Sequence, residues 1–584
     1  MELIKTKQNM IKYAIFLIFL MMAAAVLMMA SGIEAKAAKT IDNGDFVYEV
    51  LEDNKSAAIK SYKGESLYVT LPSSVEDYKV TKIRASAFMG NQTIKELEIS
   101  DTITDIGIDA FADCTALTSL NVPGNVTYIG NSAFQGCTSL SSVTVFDGTK
   151  LIGAYAFAGC TALKEVNLPN SLETIDNYAF FNCSSLENIV VPDSLETFGG
   201  YVLEGTKWMK KQNSDFVIVG DGILIKYNSD DKAKALSDDI KTIGKYAFAE
   251  NKNITTILLS RTVRKIDSSA FENCKSLQTI TLPDSVQTIK PRAFYGCESL
   301  MNVTLSASIA EIDYSVFGYC KGMTEIIIPS NVITVSNSAF EGCEGLISVK
   351  FMNGTQNIEE NSFKDCKNLR RIVFPTTLKK IKKSAFVNCT SLTRVEFNSN
   401  LTMEREAFMD CSNLKEAVFY INIAALPPEV FKGSPDVTFY SDNNYYLKQY
   451  AESNQLGNEH IKNLEEYEDK GTLHEDKKDV VSSFSGMYTL IVIVIIFADV
   501  GLVVLFSGYI LFSMPNGKHS ARGTRYAAKG KYSRKSDHHS SERKLSEKVT
   551  ANTKHPSHRP SGGSRVAPRR QSGGKRVRTN KDKP

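Results

Sequence analysis

The chain has 584 residues, of which 43% are hydrophobic and 23% are charged, with a formal net charge of +3. That length exceeds what one hydrophobic core supports, so a single globular domain is excluded and several domains or a repeat array are expected. The charge is unevenly placed, because residues 513–584 carry +16 and the rest of the chain −13. This asymmetry predicts that the two parts of the chain lie in different compartments or bind different kinds of partner.

The N-terminal segment, residues 1–37, predicts a secretory signal peptide. Lys5, Lys7 and Lys12 precede an apolar run over residues 14–30, and an A-x-A cleavage motif follows at residues 35–37. An uncleaved membrane anchor is the alternative, because the apolar run is long for a signal peptide.

Residues 38–85 predict an N-terminal β cap. They contain short apolar runs at 46–48 and 67–69, without the repeat motif that follows. A repeat array needs such a cap, because its first turn has no preceding neighbour to cover its core.

From residue 86 to residue 435 one motif recurs every 23 residues. Its template is I-x-x-x-A-F-x-x-C-x-x-L-x-x-[IV]-x-[LIV]-P-x-[ST]-[VL]-x-x-I, as in the units around Phe157 and Phe271. The [IV]-x-[LIV] pair alternates with period two and predicts a short strand, which proline ends because it has no N–H for a ladder. One unit cannot bury its apolar residues alone, so the repeat predicts a stacked solenoid.

All eleven cysteines of the chain lie in one register of this repeat. They are Cys114, Cys137, Cys160, Cys183, Cys274, Cys297, Cys320, Cys343, Cys366, Cys389 and Cys411. Their number is odd, and parallel stacking keeps neighbouring Cβ atoms about 4.8 Å apart, farther than a disulfide needs. We therefore predict a structural ladder of free, buried thiols. Zinc binding is not expected, because the cysteines form no C-x-x-C pairs and have no histidine nearby.

The template resembles that of the BspA-like, or Treponema pallidum type, leucine-rich repeat surface proteins. The resemblance covers residues 80–435, about fifteen turns of 23 residues. It implies an extended, curved, right-handed α/β solenoid with strands on its concave face. It also implies a surface protein that binds host molecules or other cells.

The repeat is interrupted at residues 204–240. The segments Phe216–Val219 and Ile223–Tyr227 flank Gly-Asp-Gly and predict a β-hairpin. Trp208, the only tryptophan, comes just before them. Similar segments recur in the resembled family, which favours an irregular structural turn over the alternative of a dedicated site.

The C-terminal part predicts a cap, a linker and a membrane span. Residues 436–463 indicate a cap with a last strand and a covering helix, and residues 464–486 a charged linker. Residues 487–512 are apolar and long enough to form a transmembrane helix. Basic residues follow directly, so the tail is predicted to be cytoplasmic and the repeats extracellular in a single-pass membrane protein. Asp499 lies within the span. It either marks a contact with a partner helix or is a carboxyl group that the membrane tolerates.

The tail, residues 513–584, has almost no large aliphatic residues and is predicted to be disordered. Stop-transfer and attraction to anionic inner-leaflet lipid explain its charge most simply. Nucleic-acid binding is a second interpretation, but the tail lacks the aromatic residues that would be interleaved with its basic ones. Contact with a cytoplasmic partner is the third.

Catalytic chemistry has little support in the sequence. No histidine occurs before His460, which excludes Ser-His-Asp, Cys-His and HExxH sites from the repeats. There is also no P-loop and no dinucleotide-binding fingerprint. We predict a protein that is not an enzyme and that has no cofactor.

Function is therefore expected on the outward strand positions of the later turns. The candidate binding residues are Glu325, Ile327, Lys350, Arg371, Val373, Arg394 and Glu396. Ordinary solvated strand residues are the alternative for any one of them, because few surface residues dominate binding. The sequence predicts an adhesin-like cell-surface protein that binds an extracellular protein or glycan. The alternative is an envelope scaffold or sensor that binds the cell's own wall or a membrane partner.

Overall fold

The computed structural model describes residues 38–467, apart from residues 422, 424, 425, 443 and 444. Four predicted segments lie outside the described residues: the signal peptide (1–37), most of the linker (468–486), the transmembrane helix with Asp499 (487–512) and the basic tail (513–584). Within the described range, no helix combines the length and apolar character that crossing a membrane requires. These residues form a β-solenoid of about 17 turns.

The predicted strand of each unit pairs in parallel with the same strand of the next turn. Val143, for example, lies opposite Leu120 of the preceding turn and Val166 of the following one, and its side chain is fully buried. We call this array the long ladder. Its strands are Tyr68–Thr70, Glu96–Glu98, Ser119–Val122, Ser142–Val145, Glu165–Asn167 and Asn188–Ile189, then Ala233–Ala235, Thr256–Leu258, Thr279–Thr281 and Asn302–Thr304, and finally Glu325–Ile328, Ser348–Phe351, Arg371–Val373, Arg394–Phe397, Glu416–Phe419, Thr438–Tyr440 and Ile461–Lys462.

A second parallel ladder, which we did not predict, follows the isoleucine that ends each unit. Ile129 pairs with Ile106 and Ile152, and all three side chains are fully buried. We call this array the short ladder. Most of its strands have two residues: Asp105–Ile106, Tyr128–Ile129, Leu151–Ile152, Thr174–Ile175, Thr197–Phe198, Thr242–Ile243, Lys265–Ile266, Thr288–Ile289, Glu311–Ile312, Thr334–Val335, Asn357–Ile358, Lys380–Ile381 and Thr402–Met403.

The A-F-x-x-C stretch forms a turn and not a helix, so the expected α/β class is wrong and the repeats are all-β. Phe157 N donates to Ala179 O of the following turn at 2.8 Å, whereas a helix would bond within its own turn. Tyr178 (φ 60°) and Asn182 (φ 56°) are left-handed, a conformation that interrupts helical backbone.

The core of the solenoid is a stack of phenylalanine rings. Phe134, Phe157 and Phe180 are fully buried, with successive ring centroids 5.3 Å apart and planes within 4° of parallel. The buried apolar residues fall into two clusters, one within residues 41–223 and the other within residues 224–450. The boundary between them lies in the irregular turn.

The first turn is preceded by an antiparallel hairpin. Thr40–Asn43 pairs with Phe46–Val50, which pairs with Ser56–Tyr62. The last of these strands, Ser56–Tyr62, also pairs in parallel with Tyr78–Ile83 and so begins the short ladder. Ser74–Val75 adds an antiparallel pair to that strand.

The irregular turn repeats this arrangement in mid-chain. The predicted hairpin of Phe216–Val219 with Ile223–Tyr227 is confirmed, and its second strand begins a new short ladder. Tyr227 N donates to Ala247 O at 2.9 Å, just as Tyr62 N donates to Ala87 O at 2.9 Å in the N-terminal hairpin. The irregular turn thus has the architecture of a second cap, and the four-residue helix Lys207–Lys210 precedes it.

A helix, Tyr445–Ser453, packs against the last turns of the solenoid. Its Tyr450 hydroxyl accepts a hydrogen bond from Phe431 N at 3.0 Å, and its ring lies edge-on to Phe439 at 5.7 Å. The short 3-10 turns Asn458–His460 and Leu464–Glu466 flank the final strand.

Candidate functional site

Four of the candidate binding residues lie where the strand alternation predicts, on the outer side of the long ladder. Glu325 and Lys350 are exposed, Ile327 is 52% exposed, and Val373 is half-buried. Ile327 lies directly opposite Lys350 in the parallel register. Among the described residues, neither Glu325 nor Lys350 makes an ion pair.

One neighbour of these residues, Met352, was not predicted and is 41% exposed. It lies two residues beyond Lys350, so the same period-two alternation identifies it once the strand is extended past Phe351. We call Glu325, Ile327, Lys350 and Met352 the strand-face patch. It combines two exposed apolar side chains with one charge of each sign.

The exposure expected for Arg394 and Glu396 is wrong, since they are only 8% and 5% exposed. Arg371 is half-buried, and its Nε donates to Glu396 Oε1 at 3.0 Å. Arg394 Nε in turn donates to Glu416 Oε2 at 2.6 Å. These side chains form a charged network within the protein and do not extend the strand-face patch.

The C-terminal segment is the reason for this burial. Tyr467 lies over the network, with its ring centroid 5.2 Å from the Arg394 guanidinium carbon and its hydroxyl 3.5 Å from Glu396 Oε1. Burial, together with the Glu396 carboxylate, raises the pKa of the Tyr467 hydroxyl. No periodicity of the repeats predicts this contact, because Tyr467 follows the last repeat.

All eleven cysteines are free and buried, the state expected from their spacing. Each thiol lies against a backbone carbonyl of the preceding turn; Cys160 Sγ, for example, donates to Phe134 O at 3.2 Å. Burial raises the pKa of Cys114, Cys274 and Cys343 to about 12. Burial therefore keeps these three thiols protonated, and a protonated thiol is a poor nucleophile. The described residues also contain no cluster of metal-ligating side chains.

A row of tyrosines runs along the turn edge that precedes each A-F pair. Successive ring centroids lie 4.7 Å apart from Tyr155 to Tyr178, 5.4 Å from Tyr178 to Tyr201, and 4.9 Å from Tyr201 to Tyr246. We call these four residues the tyrosine row. Tyr201 and Tyr246 come from opposite sides of the irregular turn, so the row becomes continuous only in the folded chain.

Two grooves flank the Tyr201–Tyr246 pair. One, of about 370 Å³, is lined by residues that include Glu204, Lys226 and Lys245. The other, of about 340 Å³, has Tyr201, Tyr246, Ala249, Glu250, Ser269, Glu272, Asn273 and Arg292 as its lining. Aromatic rings with a few convergent polar groups are the usual lining of small-ligand sites.

The profile of the family described as "BspA type Leucine rich repeat region" matches residues 81–210, 227–343 and 310–438 in six copies, more than half of the chain. This chain belongs to the BspA-type leucine-rich repeat family. The gap in the match, residues 211–226, falls on the cap-like hairpin.

Several solved structures resemble this BspA-type repeat protein. A leucine-rich repeat protein from Bacteroides ovatus ATCC 8483 is 26% identical, with 68% of this chain and 98% of that chain covered and a TM-score of 0.34. A leucine-rich cell surface protein from Faecalibacterium prausnitzii A2-165 is 25% identical, with 62% and 95% covered and a TM-score of 0.30. A leucine-rich repeat protein from Eubacterium ventriosum ATCC 27560 is 19% identical, with 68% and 99% covered and a TM-score of 0.32. No match is found among curated proteins.

Proposed function

We propose that this BspA-type repeat protein is an adhesin-like binding protein of the cell surface. In this proposal the solenoid lies outside the cell, one transmembrane helix anchors it, and the basic tail is cytoplasmic. The predicted signal peptide, the span at residues 487–512 and the basic residues after it support this topology. The ligand is an extracellular protein or glycan.

The strand-face patch carries the proposal for binding. Ile327 and Met352 leave large apolar side chains in water at neighbouring turns, although inward positions of the same strands are buried. Apolar groups on a rigid ladder bind without a large ordering cost, and Glu325 and Lys350 supply polar contacts at the rim. The parallel register of the ladder holds Glu325, Ile327 and Lys350 in a fixed array. Met352 is held beside them, because its N donates to Ile328 O at 2.9 Å.

The proposal is tested by capture with the full-length chain. Immobilised protein is incubated with surface fractions of foreign cells, with extracellular matrix proteins and with the cell's own envelope. Capture of a foreign ligand is expected, and Ile327→Thr or Lys350→Glu should weaken it about tenfold, the size of a binding hot spot. Val190→Thr is the matched control, because Val190 is 80% exposed on an outward position of an earlier turn.

Capture of own-envelope material alone would instead support the scaffold or sensor function. A foreign ligand whose capture is equally weakened by Ile327→Thr and Val190→Thr would show that the patch is not the binding surface.

A further inference from the structure

The tyrosine row occupies a backbone position that usually holds small polar residues. The residue before each A-F pair is left-handed, with φ between 50° and 64°. In the other turns this position is mostly filled by Ser86, Asp109, Ser132, Ser269, Ser315, Ser338, Asn361 and Ser384. The four tyrosines place large rings here instead, and Tyr155, Tyr201 and Tyr246 are 40%, 42% and 37% exposed. A row of exposed aromatic rings is a surface that a ligand can contact.

The row ends abruptly after Tyr246. Ser269 takes the same position in the next turn, and Arg292 takes it in the turn after that. Ring centroids of the underlying phenylalanines are 4.7 Å apart from Phe248 to Phe271 and 5.1 Å apart from Phe271 to Phe294. The backbone positions of Tyr246 and Arg292, two turns apart, are thus separated by about 10 Å. We call the gap above Ser269 the serine slot; it lies in the groove of about 340 Å³.

Both walls of the serine slot are held in place. The Tyr246 ring lies against Tyr201 on one side, and over Gly200, where a Cβ would come within 2.6 Å of the ring. Arg292 Nη2 donates to Glu272 Oε1 at 2.5 Å, and its guanidinium carbon lies 3.7 Å from the centre of the Tyr295 ring. The walls therefore keep their separation without a ligand between them.

The chemistry of the lining suits a sugar ring. The partly exposed Tyr246 ring offers an apolar plane, and Glu250, Glu272, Asn273 and Arg292 offer carboxylate, amide and guanidinium groups. A pyranose ring has an apolar C–H face and a rim of hydroxyls that donate and accept hydrogen bonds.

The charges around the slot favour an uncharged ligand over an anionic one. Its groove has the carboxylates of Glu250 and Glu272 against the single guanidinium of Arg292. The excess negative charge repels an anionic sugar.

We propose that the serine slot binds one ring of a neutral saccharide, with Tyr246 as the stacking platform and Arg292 as the opposite wall. The slot is a different surface from the strand-face patch, and the proposal does not depend on that patch.

A matched pair of substitutions tests the slot in the full-length chain. Ser269→Tyr extends the tyrosine row into the slot and fills it, whereas Ser132→Tyr extends the row at its other end, next to Tyr155. Calorimetric titrations use cellotriose, maltotriose and the trimer of N-acetylglucosamine as neutral probes, with a sialylated trisaccharide as the anionic comparison. At least one neutral trimer is expected to bind, with about a tenfold loss in Ser269→Tyr and an unchanged affinity in Ser132→Tyr.

Tyr246→Ser provides a second test that does not depend on whether Ser269→Tyr folds. Serine is native at this position in other turns, so the fold is retained, and Tyr155→Ser is its control. The proposal is overturned if no neutral trimer binds, if only the sialylated sugar binds, or if each variant and its control lose affinity equally. Ile327→Thr leaves saccharide binding unchanged, which separates this result from the strand-face test.

Discussion

Replacing Phe340 with alanine removes one ring from the middle of the phenylalanine stack. The side chain is fully buried, 5.4 Å from the Phe317 ring and 5.0 Å from the Phe363 ring. Truncation of a buried phenylalanine costs about 3–5 kcal/mol. We expect the upper end, because each neighbouring ring is held in its own turn by inter-turn hydrogen bonds and the cavity cannot collapse.

Phe340→Leu is the matched control for this substitution. It retains much of the apolar volume and loses the two ring–ring contacts, each worth about 0.5–1.5 kcal/mol, so a cost of about 2 kcal/mol is expected. The protein itself has a buried leucine in this register, Leu203.

Urea unfolding followed by circular dichroism measures these free energies of unfolding, and hydrogen exchange locates the loss. Exchange should rise within residues 224–450, the cluster that contains Phe340, more than within residues 41–223. Trp208 packs against the first cluster, so its fluorescence reports that part separately. A cost below about 1 kcal/mol for Phe340→Ala would refute the buried stack. Equal loosening of both clusters would refute their separation at the irregular turn.

Four further predictions concern the thiols, the charged network and a glycine. Native protein should not react with iodoacetamide at pH 8, whereas urea-unfolded protein should be alkylated at all eleven cysteines; rapid labelling of the native state would contradict their burial. Because the folded pKa values of Cys114, Cys274 and Cys343 are raised from 9.0 to about 12, their stabilising contribution is complete below pH 9 and is lost as the pH rises towards 12. The melting temperature should fall across that pH interval. A melting temperature that stays constant would contradict the raised pKa values. Arg394→Met removes the partner of the partly buried Glu416 carboxylate, while Glu396 keeps Arg371, and should cost about 2 kcal/mol in chemical unfolding. Lys367→Met breaks an exposed pair and should have a negligible cost; equal costs would refute the network. Gly148 has φ 124°, and a Cβ there would lie 1.8 Å from Gly124 O, whereas Gly44 has φ 72° and open space. Gly148→Ala should therefore destabilise by about 2 kcal/mol more than Gly44→Ala, as thermal melts would show.

Much of the repeat could be predicted because every turn meets the same environment. A residue type that recurs every 23 positions must fill equivalent sites in neighbouring turns, and this identifies the long ladder, the thiols and the phenylalanine stack. The short ladder was missed because two residues are too few to show an alternating pattern. The expectation of helices within the repeats was wrong for a different reason. It came from the family resemblance, whereas the left-handed residues around each A-F pair prevent a helix there.

The sequence by itself determined the period, the inward-facing residues and the hairpin of the irregular turn, since these follow from local pattern and turn chemistry. Only the tertiary structure decided which outward residues remain accessible. Arg394 and Glu396 have the same alternation as Ile327, yet Tyr467 covers them. Tyr201 meets Tyr246 although the two are 45 positions apart in the chain, against 23 for an ordinary turn. Exposure at a given turn depends on which distant segments pack over it. The repeat pattern contains no information about such segments, because they lie outside the repeats or between them.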